Sequence, residues 1–360
     1  MAGIYISWPF CAQKCTYCNF ASGVLPKDLE PQYLEALLNE IAAHNWQWTP
    51  DTLYLGGGTP SAMSPADLAT LAAALPGRPW REATLEAAPG TITAERLNAW
   101  QAAGINRVSL GVQSFIRHEL ARTGRKHTAE IVEQDVAALR AHDLANINID
   151  LIAGLPGQTE ATWRESLEAT IKIDPPHVSV YMLEVDDESR LGTEILLGGK
   201  RYGASDVPSD DRIADFYEIA VDELAQAGIH RYEISNFAKP GAESLHNLKY
   251  WHREPYIGFG ADAHSFDGAS RWQNIESARD YIATRERTNL DIVPDPSAEK
   301  FFVGLRLTEG VAATESDWLR YGPVFERFLS GGMMERTGNH LRLTPRGVMV
   351  SNEIFEEFLT

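Results

Sequence analysis

All three cysteines of this 360-residue chain, Cys11, Cys15 and Cys18, fall between Phe10 and Phe20. Their spacing is Cys-x3-Cys-x2-Cys. Three thiolates on one loop can hold three irons of a cubic [4Fe–4S] cluster and leave the fourth iron open to a small chelating molecule. A structural zinc site wants four ligands, commonly as two close pairs, and no second pair exists. A disulfide framework would leave one cysteine odd. Inert core thiols would not need this spacing.

The spacing, with Tyr17 just before the third cysteine, resembles the radical S-adenosylmethionine (SAM) superfamily. The resemblance implies that SAM chelates the open iron and that an electron from the cluster splits its sulfonium to release a 5′-deoxyadenosyl radical. Tyr17 would then lie near the adenine. Beside such a loop, Gly56-Gly57-Gly58-Thr59-Pro60 takes on a second meaning. It lacks the Gly-Lys-Ser/Thr ending of a phosphate loop. Either it is a tight turn, or its bare backbone lets a ligand approach and offers carbonyls to the SAM ammonium. Glu86, Gln113 and Asp150 each stand beside an apolar strand, where an unpaired polar group is costly. They meet one another, or they meet the ribose and amino-acid parts of SAM. Arg125 is either a solvated charge or a two-point partner for the SAM carboxylate.

A further constellation runs from Leu245 to His252, between Tyr232–Ala238 and Tyr256–Ser265. An imidazole among aromatic rings suits a flat apolar ligand whose metal takes an axial nitrogen. It equally suits a packed aromatic cluster with hydrogen-bonded histidines.

Taken together, these stretches resemble the oxygen-independent coproporphyrinogen III oxidase family and, within it, the HemW-type heme chaperones. The resemblance rests on the cysteine loop, Tyr54–Ser61, Ser109–Phe115, Asn148–Pro156 and the run His246-Asn-Leu-Lys-Tyr-Trp251. It implies a partial (β/α)6 radical SAM barrel, an α/β fold, with a small winged-helix-like C-terminal domain. It implies SAM contacts at Tyr5, Gly57, Gly58, Thr59, Glu86, Gln113, Arg125, Asp150 and Glu184. It also implies His246 as a ligand of heme iron, through the His-Asn-x-x-Tyr-Trp signature of the chaperone branch. Two departures separate the chain from the family's true coproporphyrinogen III dehydrogenase. Phe20 stands where the dehydrogenase has a fourth cysteine, and the first strand starts almost at Met1, without the dehydrogenase's N-terminal extension. The implied activity is heme uptake and transfer to an acceptor, for example a membrane-bound respiratory enzyme. The alternative is radical decarboxylation of coproporphyrinogen propionates.

These residues need a scaffold, and the pattern supplies one. Ile4–Ser7, Thr52–Leu55, Ala83–Ala87, Arg107–Gly111, Ile147–Ile152 and His177–Leu183 read as strands. Helical stretches at 26–48, from Ser64, and at 93–103, 129–142 and 162–173 lie between them. Such alternation predicts a parallel sheet with the site at the strands' C-terminal ends. Segment 186–208 reads as a flexible loop, followed by a helix at 211–226 and a strand near 231–235. Helices are expected at 297–306, 315–321 and 323–331, then a hairpin at 334–344. The expected division is a barrel over 1–235, a connecting region over 236–293 with the heme motif, and a C-terminal domain over 294–360. The net charge of −18 disfavours nucleic-acid partners. Hydrophobic content of 44% is globular and permits a homodimer. No basic segment with a long apolar core opens the chain and no 18-residue apolar run occurs, so a cytoplasmic protein is expected.

Overall fold

Strand β1 (Ala2–Trp8) is buried along almost its whole length, as a strand covered on both faces must be. After the cysteine loop come α1 (Leu29–Ala43), β2 (Pro50–Gly57), α2 (Pro65–Ala74), β3 (Glu82–Ala87), α3 (Ala94–Ala103) and β4 (Arg107–Gln113). Then follow α4 (Arg117–Thr123), α5 (Ala129–Ala141), β5 (Ile147–Ala153), α6 (Glu160–Ile173) and β6 (His177–Met182). Local chemistry starts the helices where the sequence marks them. Ser64 caps α2 with Pro65 in its first turn, and Thr93 and Thr159 cap α3 and α6. Strands β1 to β6 pair in parallel and in chain order, the expected barrel wall. This computed structural model describes residues 2–284, 287–288 and 295–359.

Beyond β6 lie α7 (Arg190–Leu196), α8 (Asp210–Gln226), β7 (His230–Arg231), β8 (Asn236–Ala238) and α9 (Leu245–Trp251). Next are β9 (Tyr256–Phe259), β10 (His264–Phe266), β11 (Arg271–Asn274), α10 (Ala278–Thr284) and β12 (Arg287–Thr288). Strand β9 adds in parallel to the free edge of β1, and β8 adds antiparallel to β6. One twelve-stranded sheet results, in the order β12-β11-β10-β9-β1-β2-β3-β4-β5-β6-β8-β7. The C-terminal part holds α11 (Pro296–Gly304), β13 (Val311–Ala312), α12 (Glu315–Ser330), β14 (Met334–Thr337), β15 (His340–Leu343), α13 (Pro345–Met349) and α14 (Ser351–Glu356). Its three strands form a separate antiparallel sheet. Among the described residues, no helix is long and apolar enough to cross a membrane.

The structure corrects three expectations. Segment 186–208 is not an unstructured loop: it carries α7, capped by Ser189, whose Leu191 is fully buried. The strand near 231–235 is two short strands that straddle that position. The two helices at 315–321 and 323–331 are one, with Pro323 inside. Proline frees the carbonyl four residues back, which is that of Leu319. Leu319 is 83% exposed, so water can satisfy it. The expected boundary at 293–294 lies outside the described residues.

Candidate functional site

Cys11, Cys15 and Cys18 lie on the loop after β1, at the C-terminal end of the barrel strands, as free and partly exposed thiols. The loop is pinned at several points. The Cys11 amide donates to the Gly23 carbonyl at 2.9 Å, and that of Gly23 to Pro9 at 2.9 Å. Thr16 donates to the Thr123 carbonyl at the end of α4, at 3.2 Å, and accepts from Leu191 of α7 at 2.8 Å. Among the described residues no three Cys, His, Asp or Glu side chains converge on a single ion. A cubic cluster does not require that, because each thiolate takes a different iron. Three free thiols on one pinned loop, near enough for their charges to interact, fit such a group.

The glycine run has a packing reason beside any role with a ligand. Gly57 sits at φ 102°. A Cβ on Gly58 would lie 2.7 Å from the Phe10 carbonyl oxygen and 2.8 Å from that of Trp8. Only glycine lets the end of β2 lie against the neck of the cysteine loop, where Thr59 donates to Phe10 at 2.9 Å.

The carboxyl of Glu86, on β3, accepts from the Tyr54 hydroxyl at 3.1 Å and the Gly57 amide at 3.2 Å. Burial first, then the charge of Asp150, push it up to about 7. Asp150, on β5, accepts from Asn148 at 2.7 Å and Ser109 at 3.1 Å. Burial raises its pKa, and those hydrogen bonds oppose the rise. Gln113 follows a register shift between β4 and β5 and holds φ 70°, an irregularity that re-aims side chains at a strand end. Arg125 donates to the Gly111 carbonyl at 2.6 Å, while its Nε is buried without a partner. An orphan donor of this kind fits an absent carboxylate. Tyr17 lies in the field of Arg125, its phenol held above the usual range by burial and pulled back by that charge. Tyr5 sits by Glu86 near Gly56, and Glu184 follows β6. The barrel strands thus bring Gly57, Gly58, Thr59, Glu86, Gln113, Arg125 and Asp150 toward the cysteine-loop end of the sheet, while Tyr5, in the middle of β1, and Glu184 also line the cavity beside α9.

His246 is at the other end of the strands. Glu82, the first residue of β3, accepts from Ser244 Oγ at 3.2 Å and from the Leu245 and His246 amides at 2.9 Å each. This carboxylate fixes the start of α9. The imidazole is fully buried. Its Nδ1 lies 2.9 Å from Thr52 Oγ1 and its Nε2 2.8 Å from Tyr250 Oη. Burial, then the charges of Lys249 and Arg107, push its pKa down to about 3. It is therefore neutral, with both nitrogens engaged.

A cavity of about 700 Å³ opens beside α9, within the roughly 300–1,000 Å³ of small-molecule sites. Tyr5, Tyr54 and Tyr181 line it from the barrel, Asn247, Tyr250 and Trp251 from α9, and Arg306 and residues 348–353 from the C-terminal part. His246 stands one layer behind, reached through Tyr250. Sequence reasoning missed Thr52, Glu82 and Arg306. None of them belongs to a recognisable motif, and only the fold brings each to this one.

A parallel barrel wall with three cysteines on the loop after its first strand defines a radical SAM protein. The Radical SAM superfamily model accordingly matches residues 5–170. The heme chaperone HemW of Lactococcus lactis is 33% identical, covering 99% of this chain and 96% of that protein. The heme chaperone HemW of Bacillus subtilis is 33% identical over 100% and 99%, and that of Escherichia coli 32% over 99% and 97%. The chain belongs to the HemW heme chaperone family of the radical SAM superfamily. Membership implies a [4Fe–4S] cluster and SAM. The solved structure of coproporphyrinogen III oxidase (HemN) from Escherichia coli shares the fold, with TM-score 0.83 and 20% identity over 99% of this chain and 89% of that one.

Proposed function

We propose that this chain is a cytoplasmic heme chaperone. It takes heme into the cavity beside α9 and passes it to an acceptor protein, such as a membrane-bound respiratory enzyme. The observation that carries this reading is the placement of the His246–Trp251 helix, which presents Asn247, Tyr250 and Trp251 to a cavity of ligand size. The family's heme chaperones support it, as does Phe20 in place of a fourth cysteine. Cys11, Cys15 and Cys18 would hold the cluster. Tyr5, Tyr17, Gly57, Gly58, Thr59, Glu86, Gln113, Arg125, Asp150 and Glu184 would hold SAM. Together these groups would supply one-electron cleavage of the sulfonium. His246 would meet the heme iron through Nε2, which requires Tyr250 Oη to leave that nitrogen.

The test is an anaerobic hemin titration of the cluster-loaded protein beside His246→Ala, read at the Soret band. A saturable shift that weakens in the variant, at unchanged cluster absorbance, is expected. An equal shift in both would remove His246 as ligand. No saturable shift in either would remove the chaperone reading and favour SAM-dependent porphyrinogen decarboxylation.

A further inference from the structure

Among the described residues lining the cavity there is one cation, Arg306, and three acids, Glu184, Glu233 and Glu353. The Arg306 guanidinium lies over the Trp251 ring at 4.7 Å and 5.8 Å from the centre of the Phe355 ring. It makes no ion pair among the described residues. Glu233, whose carboxyl feels the Arg306 charge, is bonded elsewhere. Its Oε1 takes the Ser235 amide at 3.0 Å and the Asn236 side chain, and its Oε2 has no partner. Arg306 Nε and Trp251 Nε1 are also buried without partners. A guanidinium over an aromatic ring, with its Nε unbonded and no carboxylate within ion-pair distance, is incompletely compensated. A planar guanidinium fork matches a carboxylate in particular.

We propose that Arg306 binds a carboxylate of the cavity's ligand, with the Trp251 ring holding the guanidinium in place. The inference rests on the heme reading, under which that carboxylate is one of the macrocycle's propionates. Trp251 ends the helix that carries His246, so one element would serve both the iron and the edge of the ring. Among the described residues the lining offers no second cation, so the other propionate would have no such partner there and would face solvent.

The test compares ferric protoporphyrin IX with its dimethyl ester, titrated anaerobically into the cluster-loaded wild type, Arg306→Met and Arg306→Lys. A charge-assisted contact predicts that the wild type binds the free acid about tenfold more tightly than the ester. Arg306→Met should bind both alike, near the wild-type affinity for the ester, and Arg306→Lys should keep part of the preference. Equal affinities in the wild type, or a preference that survives in Arg306→Met, would overturn the assignment of Arg306 and leave the chaperone reading standing. If neither porphyrin gives a saturable Soret change in the wild type, the heme reading falls and this inference with it. Equal affinities in the wild type overturn the assignment whether or not a variant folds, and if Arg306→Met does not fold, an undiminished preference in Arg306→Lys overturns it instead.

Discussion

Replacing Tyr250 with phenylalanine separates two roles for this side chain. In the structure Tyr250 Oη occupies His246 Nε2 at 2.8 Å, and the imidazole is fully buried. Without the hydroxyl, Nε2 has no partner in the heme-free protein, at a cost of about 1–2 kcal/mol for an unsatisfied buried polar atom. Under the proposed heme ligation Nε2 would be on the iron in the loaded protein, and the loss would not be felt there. The difference appears as tighter binding, so Tyr250→Phe should lower the hemin Kd roughly 5–30-fold. The heme-free variant should melt a few degrees lower. The assay pairs an anaerobic Soret titration with thermal unfolding at matched iron content. In the cycle with His246→Ala the gain in affinity should vanish, because the nitrogen is gone. Weaker heme binding by Tyr250→Phe, with cluster content intact, would refute the reasoning and make Tyr250 itself a ligand contact.

Three other outcomes follow from the geometry. Serine at Cys11, Cys15 or Cys18 should each lower bound iron and inorganic sulfide after reconstitution; full retention of both in the triple variant would contradict the cluster assignment. Glu86, raised from 4.5 to about 7, should make SAM affinity rise with pH up to about 7 and then level off, because the carboxylate would accept a ribose hydroxyl more strongly than the protonated acid. The same shift lowers stability as pH rises from 4.5 to about 7, since the folded state then holds the extra proton. Glu86→Gln should flatten both profiles in calorimetric titrations and pH-dependent melts. Gly3→Ala places a Cβ 3.0 Å from His246 Cε1 and 3.1 Å from Thr52 Oγ1. It should cost about 1–3 kcal/mol in urea unfolding and disturb heme binding while leaving SAM binding at the other strand end unchanged.

The barrel was legible because each of its strands is a short apolar run and α2, α3 and α6 open on capping residues. The cysteine loop was legible because cysteine spacing has few alternative meanings. Helix α7 was not: its seven residues contain Gly192 and end before Gly198 and Gly199, a composition that reads as loop. Its order comes from outside, through Leu191 buried beside Tyr17 and bonded to the Thr16 carbonyl. Pro323 read as a break because sequence alone cannot place the freed carbonyl toward water. The motif around His246 was visible as a motif, and its geometry was not. Thr52 and Glu82, which fix it, lie 194 and 164 residues away along the chain.

Those long separations bear on the order in which the molecule can be made. Synthesis releases β1 to β6, with the cysteine loop, well before α9 and β9 leave the ribosome. Until then the edge of β1 that β9 will cover is unpaired, and Glu82 and Thr52 lack the helix they hold. Domains complete in N-to-C order during translation, and contacts of such sequence distance close last. The end of the barrel that carries the cysteine loop is therefore assembled early and the end that carries α9 late, so the three thiols are in place before the cavity beside α9 exists.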